Sequence, residues 1–122
     1  MTKYFKIQYG YDKQQSVPIT EEELPKALHM FLSGKGRGIF GDTAIRGKDI
    51  VRIEPDWHTA MGWNKTWKMD EYDHREIAPL LRGYKQAYGE VKMMVQDLVS
   101  QGKEDLLLLP MSKIKEKIKL LA

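Results

Sequence analysis

The chain contains no cysteine. That single absence excludes disulfide frameworks, thiol nucleophiles and thiolate metal sites together. Long apolar runs are missing as well. The longest is Leu106–Leu109, continued by Pro110 and Met111, far short of the roughly 20 apolar residues a membrane-spanning helix requires. The opening segment, MTKYFKIQYG, is too charged and too short in apolar residues for a secretion signal. A cytoplasmic protein without a membrane partner is the expectation. A strong charge of one sign is also lacking: 20 Lys and Arg face 17 Asp and Glu, and the resulting +3 does not by itself mark a nucleic-acid binder.

Catalytic and metal-binding patterns are equally sparse. His29, His58 and His74 are scattered, and no two of them have the four-residue spacing of a helical zinc site. No serine elbow or duplicated acidic motif points to nucleophilic or hydrolytic chemistry. Gly36-Arg37-Gly38-Ile39-Phe40-Gly41 spells the dinucleotide-loop pattern. The nucleotide-binding version must follow a strand and open a helix, whereas this one follows a helix and opens a strand. The sequence therefore predicts a protein that is not an enzyme and uses no cofactor and no metal.

What is present is enough for one domain over residues 1–122. Its apolar fraction of 42% and charged fraction of 30% are those of an ordinary globular protein. Residues 3–9 alternate in the period of a half-buried strand, and 16–19 reads as a short return strand that Pro18 confines to an edge. Thr20 followed by Glu21, Glu22 and Glu23 fits a capping box, with Leu24, Ala27, Leu28, Phe31 and Leu32 at helical spacing behind it. The alternative start is Pro25, with 20–23 as a preceding turn. Gly34 closes the helix. Ile39–Phe40, a turn at Gly41–Asp42 and Thr43–Ile45 read as a hairpin, Arg46–Gly47–Lys48 as a second turn, and Ile50, Val51 and Ile53 as a strand ended by Pro55.

All three Trp fall within residues 57–69, a segment of no clear period that reads as an ordered connector. Helical periodicity follows. Ile77, Leu81, Tyr84, Tyr88, Val91, Val95 and Leu98 stand alternately four and three residues apart, a coiled-coil-like seam. It packs against either a partner or a neighbouring helix, and a homodimer through it is one expectation. Pro79 fits as the first residue of the main helix, behind a short turn at 70–78. A final helix from Ser112 carries Ile114, Ile118 and Leu121 on one face and four Lys around the rest. The expected class is α+β: a small antiparallel sheet with one helix in residues 1–56, the Trp-rich connector over 57–69, and a helical part over 70–122 made of a long helix and a short terminal one.

Two groups of residues have the chemistry of a nucleic-acid site. Lys35 and Arg37 lie in the glycine-rich loop GKGRG, and Arg46, Lys48 and Arg52 lie on or beside the hairpin. If 46–53 is one strand, residues 46, 48, 50 and 52 share a face and make a basic stripe beside that loop. Trp63 and Trp67, interleaved with Lys65 and Lys68, suit base stacking next to phosphates. Each group also has a plainer reading, a solvated hairpin for the cations and core filling for the Trp rings.

The first half resembles small open reading frames of bacterial phages and mobile elements. The residues that carry the likeness are Tyr4–Tyr9, the Glu-Glu-Leu helix start, Leu28–Gly34 and the stretch TAIRGKDIVRIEPD over Thr43–Asp56. The resemblance implies a strand–helix–hairpin unit but neither a chemistry nor a partner. The expectation is a non-catalytic binding protein that contacts nucleic acid or a nucleic-acid-processing complex. Its alternative is a protein–protein module that inhibits or recruits a host protein, for example a host nuclease defence.

Overall fold

The computed structural model describes residues 3–10, 12–56 and 74–121. Strand β1 (Tyr4–Tyr9) is the centre of a three-stranded antiparallel sheet, flanked by β2 (Gln15–Thr20) and β5 (Ile50–Pro55). The period-two pattern of β1 turns Phe5 and Ile7 into the core and leaves Tyr4, Lys6 and Gln8 facing outward. On the same inner face lie Val17 and Ile19 of β2 and Ile53 of β5. β2 is an edge strand. That position tolerates Pro18 opposite Lys6, because an edge residue needs no second ladder bond.

The helix α1 (Leu24–Ser33) starts where Pro25 can occupy its first turn without forfeiting a hydrogen bond. Glu21–Glu23 form a preceding 3-10 turn, and the Thr20 hydroxyl caps nothing, so the turn reading is right and the capping box is absent. Glu22 is engaged elsewhere. Its carboxylate accepts hydrogen bonds from the Ser112 backbone N–H at 3.2 Å and the Ser112 hydroxyl at 2.7 Å, satisfying a free donor at the start of the last helix. α1 ends at Gly34, whose φ of 66° is the left-handed conformation of a helix stop and whose N–H bonds the Met30 carbonyl.

The hairpin of β3 (Arg37–Phe40) and β4 (Thr43–Arg46) forms as expected around Gly41–Asp42, but as a separate two-stranded sheet. Gly47–Asp49 is a 3-10 turn that divides β4 from β5. One continuous strand through 46–53 is therefore corrected, and with it the single basic stripe. A β-bulge adds to the break: Tyr9 pairs with Ile50 and Gln8 with Arg52, leaving Val51 as the extra residue. Ile50 and Ile53 both turn inward as a result, while Val51 and Arg52 point out.

The long helix α2 (His74–Ser100) runs through Pro79 instead of starting there. Pro79 has no N–H for the Arg75 carbonyl, a loss confined to the early turns of the helix, where Pro79 is exposed. A 3-10 turn (Glu104–Leu108) leads to α3 (Met111–Leu121). One hydrophobic cluster gathers residues from every part of this frame, with α1 packed on both β5 and α2 and with α2 also touching the sheet. Phe5 meets Tyr84 edge to face at 5.4 Å between ring centroids. The Tyr84 hydroxyl oxygen in turn accepts a hydrogen bond from the Tyr4 N–H at 2.9 Å.

Tyr84, Val91, Val95 and Leu98 are buried inside the chain, and Tyr88 packs against the same cluster. These five are core residues, not an exposed face offered to a second copy, because α1 and the sheet already cover the seam. The side chains of Ile77 and Leu81 lie outside the described residues.

Candidate nucleic-acid interface

Four of the five expected cations converge. The αL stop at Gly34 turns the chain out of α1 and sends Lys35, Gly36 and Arg37 across the start of β3. The Gly47–Asp49 turn brings Arg46 and Lys48 up beside them. Gly34–Arg37, Arg46 and Lys48 together line a shallow surface depression of about 330 Å³. A second depression of similar size shares Arg37 and Arg46.

The two segments are locked by a close backbone approach. The Gly47 N–H donates to the Gly36 carbonyl at 2.9 Å. Gly47 is buried, and a Cβ there would collide with the Lys35 carbonyl oxygen and lie 2.7 Å from that of Met30. No side chain fits at this point, so glycine is required by contact and not by torsion. At the base of the loop the Lys35 N–H is satisfied by the Ser33 hydroxyl at 3.2 Å. Lys35 also follows the C-terminal, negative end of the α1 dipole, where a cation is favoured.

Electrostatically the site is under-compensated. Arg37 and Arg46 are direct cross-strand partners, and both are exposed. Side chains directly opposite each other in an antiparallel pair stand about 5 Å apart at Cβ, so like charges there repel. Asp49 offsets one of them, accepting from Arg46 Nε at 2.8 Å. Among the described residues no carboxylate pairs with Lys35, Arg37 or Lys48. An anion between the strands would relieve the repulsion.

Arg52 does not belong to this group. It lies on the outer face of the three-stranded sheet, 3.6 Å from Glu54, which also holds Lys6 at 3.5 Å and accepts from Gln8 Nε2 at 2.6 Å. It is drawn to Glu54 there, a carboxylate it shares with Lys6. Trp63 and Trp67 lie outside the described residues.

The structure adds a cation that sequence spacing did not single out. Lys26 of α1 places its ammonium 5.0 Å from the Phe40 ring centroid, against the hairpin's buried side. The hairpin can come this close because residue 38 is glycine: a Cβ there would be 2.9 Å from both Lys26 Cε and Met30 Sδ. Lys26, Lys35 and Arg37 then share a cleft of about 540 Å³ with Val99 and Leu108. The signals for this cleft in the sequence were Lys35, Arg37 and the apolar run before Pro110 that contains Leu108.

Among the described residues no group of three or more His, Asp or Glu could hold a metal ion. None of the described helices is long and apolar enough to cross a membrane. Compared with protein-family models, curated proteins and solved structures, the chain matches none.

Proposed function

We propose that this is a non-catalytic, cytoplasmic nucleic-acid-binding protein that holds the phosphate backbone with Lys35, Arg37, Arg46 and Lys48. The observation that carries the reading is the Arg37–Arg46 cross-strand pair, two exposed guanidinium groups opposed in a site with one compensating carboxylate. Such an arrangement costs free energy in the free protein and is repaid when phosphate oxygens enter between the cations. Arginine suits the task, since its planar fork matches phosphate geometry.

The test is fluorescence anisotropy with a labelled oligonucleotide at about 50 mM salt, where phosphate contacts are strongest. Lys35→Ala/Arg37→Ala should weaken binding by about tenfold or more, at roughly 1 kcal/mol or more per charged hydrogen bond lost. Arg52→Ala, answered by Glu54, should leave it unchanged. Equal affinity for all three proteins would refute the assignment.

A second reading, a protein–protein module, draws on a different surface. Between α2 and α3 runs a groove of about 530 Å³ that includes Met93, Met94, Leu98 and Ile118. Met93 is 65% exposed and Leu120, further along α3, 84%. Exposed apolar side chains of this kind favour protein contacts that persist at high salt.

A further inference from the structure

The basic depression shares three residues with the larger cleft: Lys35, Gly36 and Arg37 line both it and the cleft of about 540 Å³. The cleft lies between α1, the loop and the Glu104–Leu108 turn, and its volume falls within the ~300–1,000 Å³ range of small-ligand pockets. Its walls are apolar where Met30, Val99 and Leu107 meet, and Leu108 stands over it 71% exposed. His29 and Glu104 add polar edges, and Lys26 adds a third cation to the rim.

Resting on the function proposed above, we propose that this cleft receives an unpaired nucleobase, so that the protein binds single-stranded nucleic acid in preference to duplex. A strand whose phosphates lie on Lys35 and Arg37 has its bases within reach of the cleft that the same two residues line. In a duplex the base faces are stacked inside the helix and cannot enter such a cleft; in a single strand they can be splayed out against apolar side chains. The apolar walls receive the ring face, while His29 and Glu104 can exchange hydrogen bonds with base edges. Phosphate binding alone explains the cations. It does not explain a large apolar side chain such as Leu108 left in water beside them. An acidic amphipathic peptide would match the same charges, but Lys35, Gly36 and Arg37 also line the depression that holds Arg46 and Lys48, which extends the cationic track beyond the cleft.

The test uses the full chain with a fluorescein-labelled single strand of about 12 nucleotides, in the usual size range for such sites, and the matching duplex. Val99→Ser/Leu108→Ser removes apolar surface from exposed positions, and its melting curve verifies the fold. The expected result is a wild-type preference for the single strand of about tenfold, in line with the contribution of one stacked base. The double variant loses that preference, while its duplex affinity and salt dependence stay as in wild type. Unchanged single-strand affinity in the double variant, or duplex bound as tightly as single strand by wild type, overturns the inference; if Lys35→Ala/Arg37→Ala still loses affinity, phosphate binding stands without it. If neither nucleic acid binds and a Glu- and Leu-rich helical peptide does, both fall together.

Discussion

Substitution of Gly47 by alanine tests whether the two basic segments are held as one site. The added methyl would meet the Lys35 carbonyl carbon at 2.9 Å and the Met30 carbonyl oxygen at 2.7 Å, and would overlap the Lys35 carbonyl oxygen outright. All three are backbone atoms at the end of α1 and cannot rotate aside as a side-chain tip would. Relief requires the 34–37 loop and the 47–49 turn to separate, which also breaks the bond from Gly47 N–H to Gly36. Forcing extra volume into a packed site costs about 1–3 kcal/mol. The lost hydrogen bond adds about 1 kcal/mol, for a destabilisation of about 2–4 kcal/mol. For a chain of this length that corresponds to a fall in Tm on the order of 10 °C. Calorimetry gives the stability, and oligonucleotide anisotropy at a temperature where the variant is folded gives the binding. Affinity should fall with no cation removed, because Lys35 and Arg37 are displaced from Arg46 and Lys48. A variant with wild-type Tm and wild-type affinity would refute the close approach and the site built on it.

Two further changes probe the frame. Val95→Glu buries an unpaired carboxylate in the core where Val95 is 1% exposed, at a cost of several kcal/mol against a total stability of about 5–15 kcal/mol. The cooperative melting transition should be lost; a folded variant that changed only its mass by light scattering would return the seam to an intermolecular role. Tyr84→Phe leaves the Tyr4 N–H without its acceptor and should cost about 1–2 kcal/mol in urea denaturation. The same tyrosine sets an alkaline limit. Burial raises its phenol above the ordinary 10.0, so the unfolded chain gives up this proton first. The stabilisation is complete below pH 10.0 and is lost as pH rises from there towards the folded-state value. Tyr84→Phe should lessen that fall above pH 10.0, leaving the part due to Tyr88, which burial raises in the same direction.

Where local chemistry decides an element, the sequence was sufficient. Gly41–Asp42 between apolar pairs gave the hairpin, Pro18 the edge strand, and Gly34 the end of α1. Errors arose where a neighbour in space overrode a local pattern. The Thr20 and Glu23 pair had the spacing of a capping box, yet Pro25 set the helix start, and Glu22 serves α3 across 90 residues of chain. The turn read at Arg46–Gly47–Lys48 is present as a 3-10 turn, so the single strand face drawn across 46–52 does not form, and the bulge at Val51 had no signal in the alternation. The α2 seam was periodic in either case. Whether it faced a partner or the chain's own core depended on the burial of Tyr84, Val91 and Val95.

The candidate site divides the same way. Lys35, Arg37, Arg46 and Lys48 were legible because short glycine-bearing turns keep each pair near the hairpin. Arg52 was misassigned because Glu54, two residues on, shares its face of the sheet. Lys26 and His29 of α1, Val99 of α2 and Leu108 of the following turn come from three elements, and only the packing of these elements unites them.

The most direct test of phosphate binding is the salt dependence of single-strand affinity. With three to four cations at the depression, Arg46 being shared with Asp49, counterion release predicts a log–log slope of about −2 to −3. Between about 50 and 200 mM salt, affinity should then fall about 20- to 50-fold. Binding that does not respond to salt, or no binding at about 50 mM, would contradict the account.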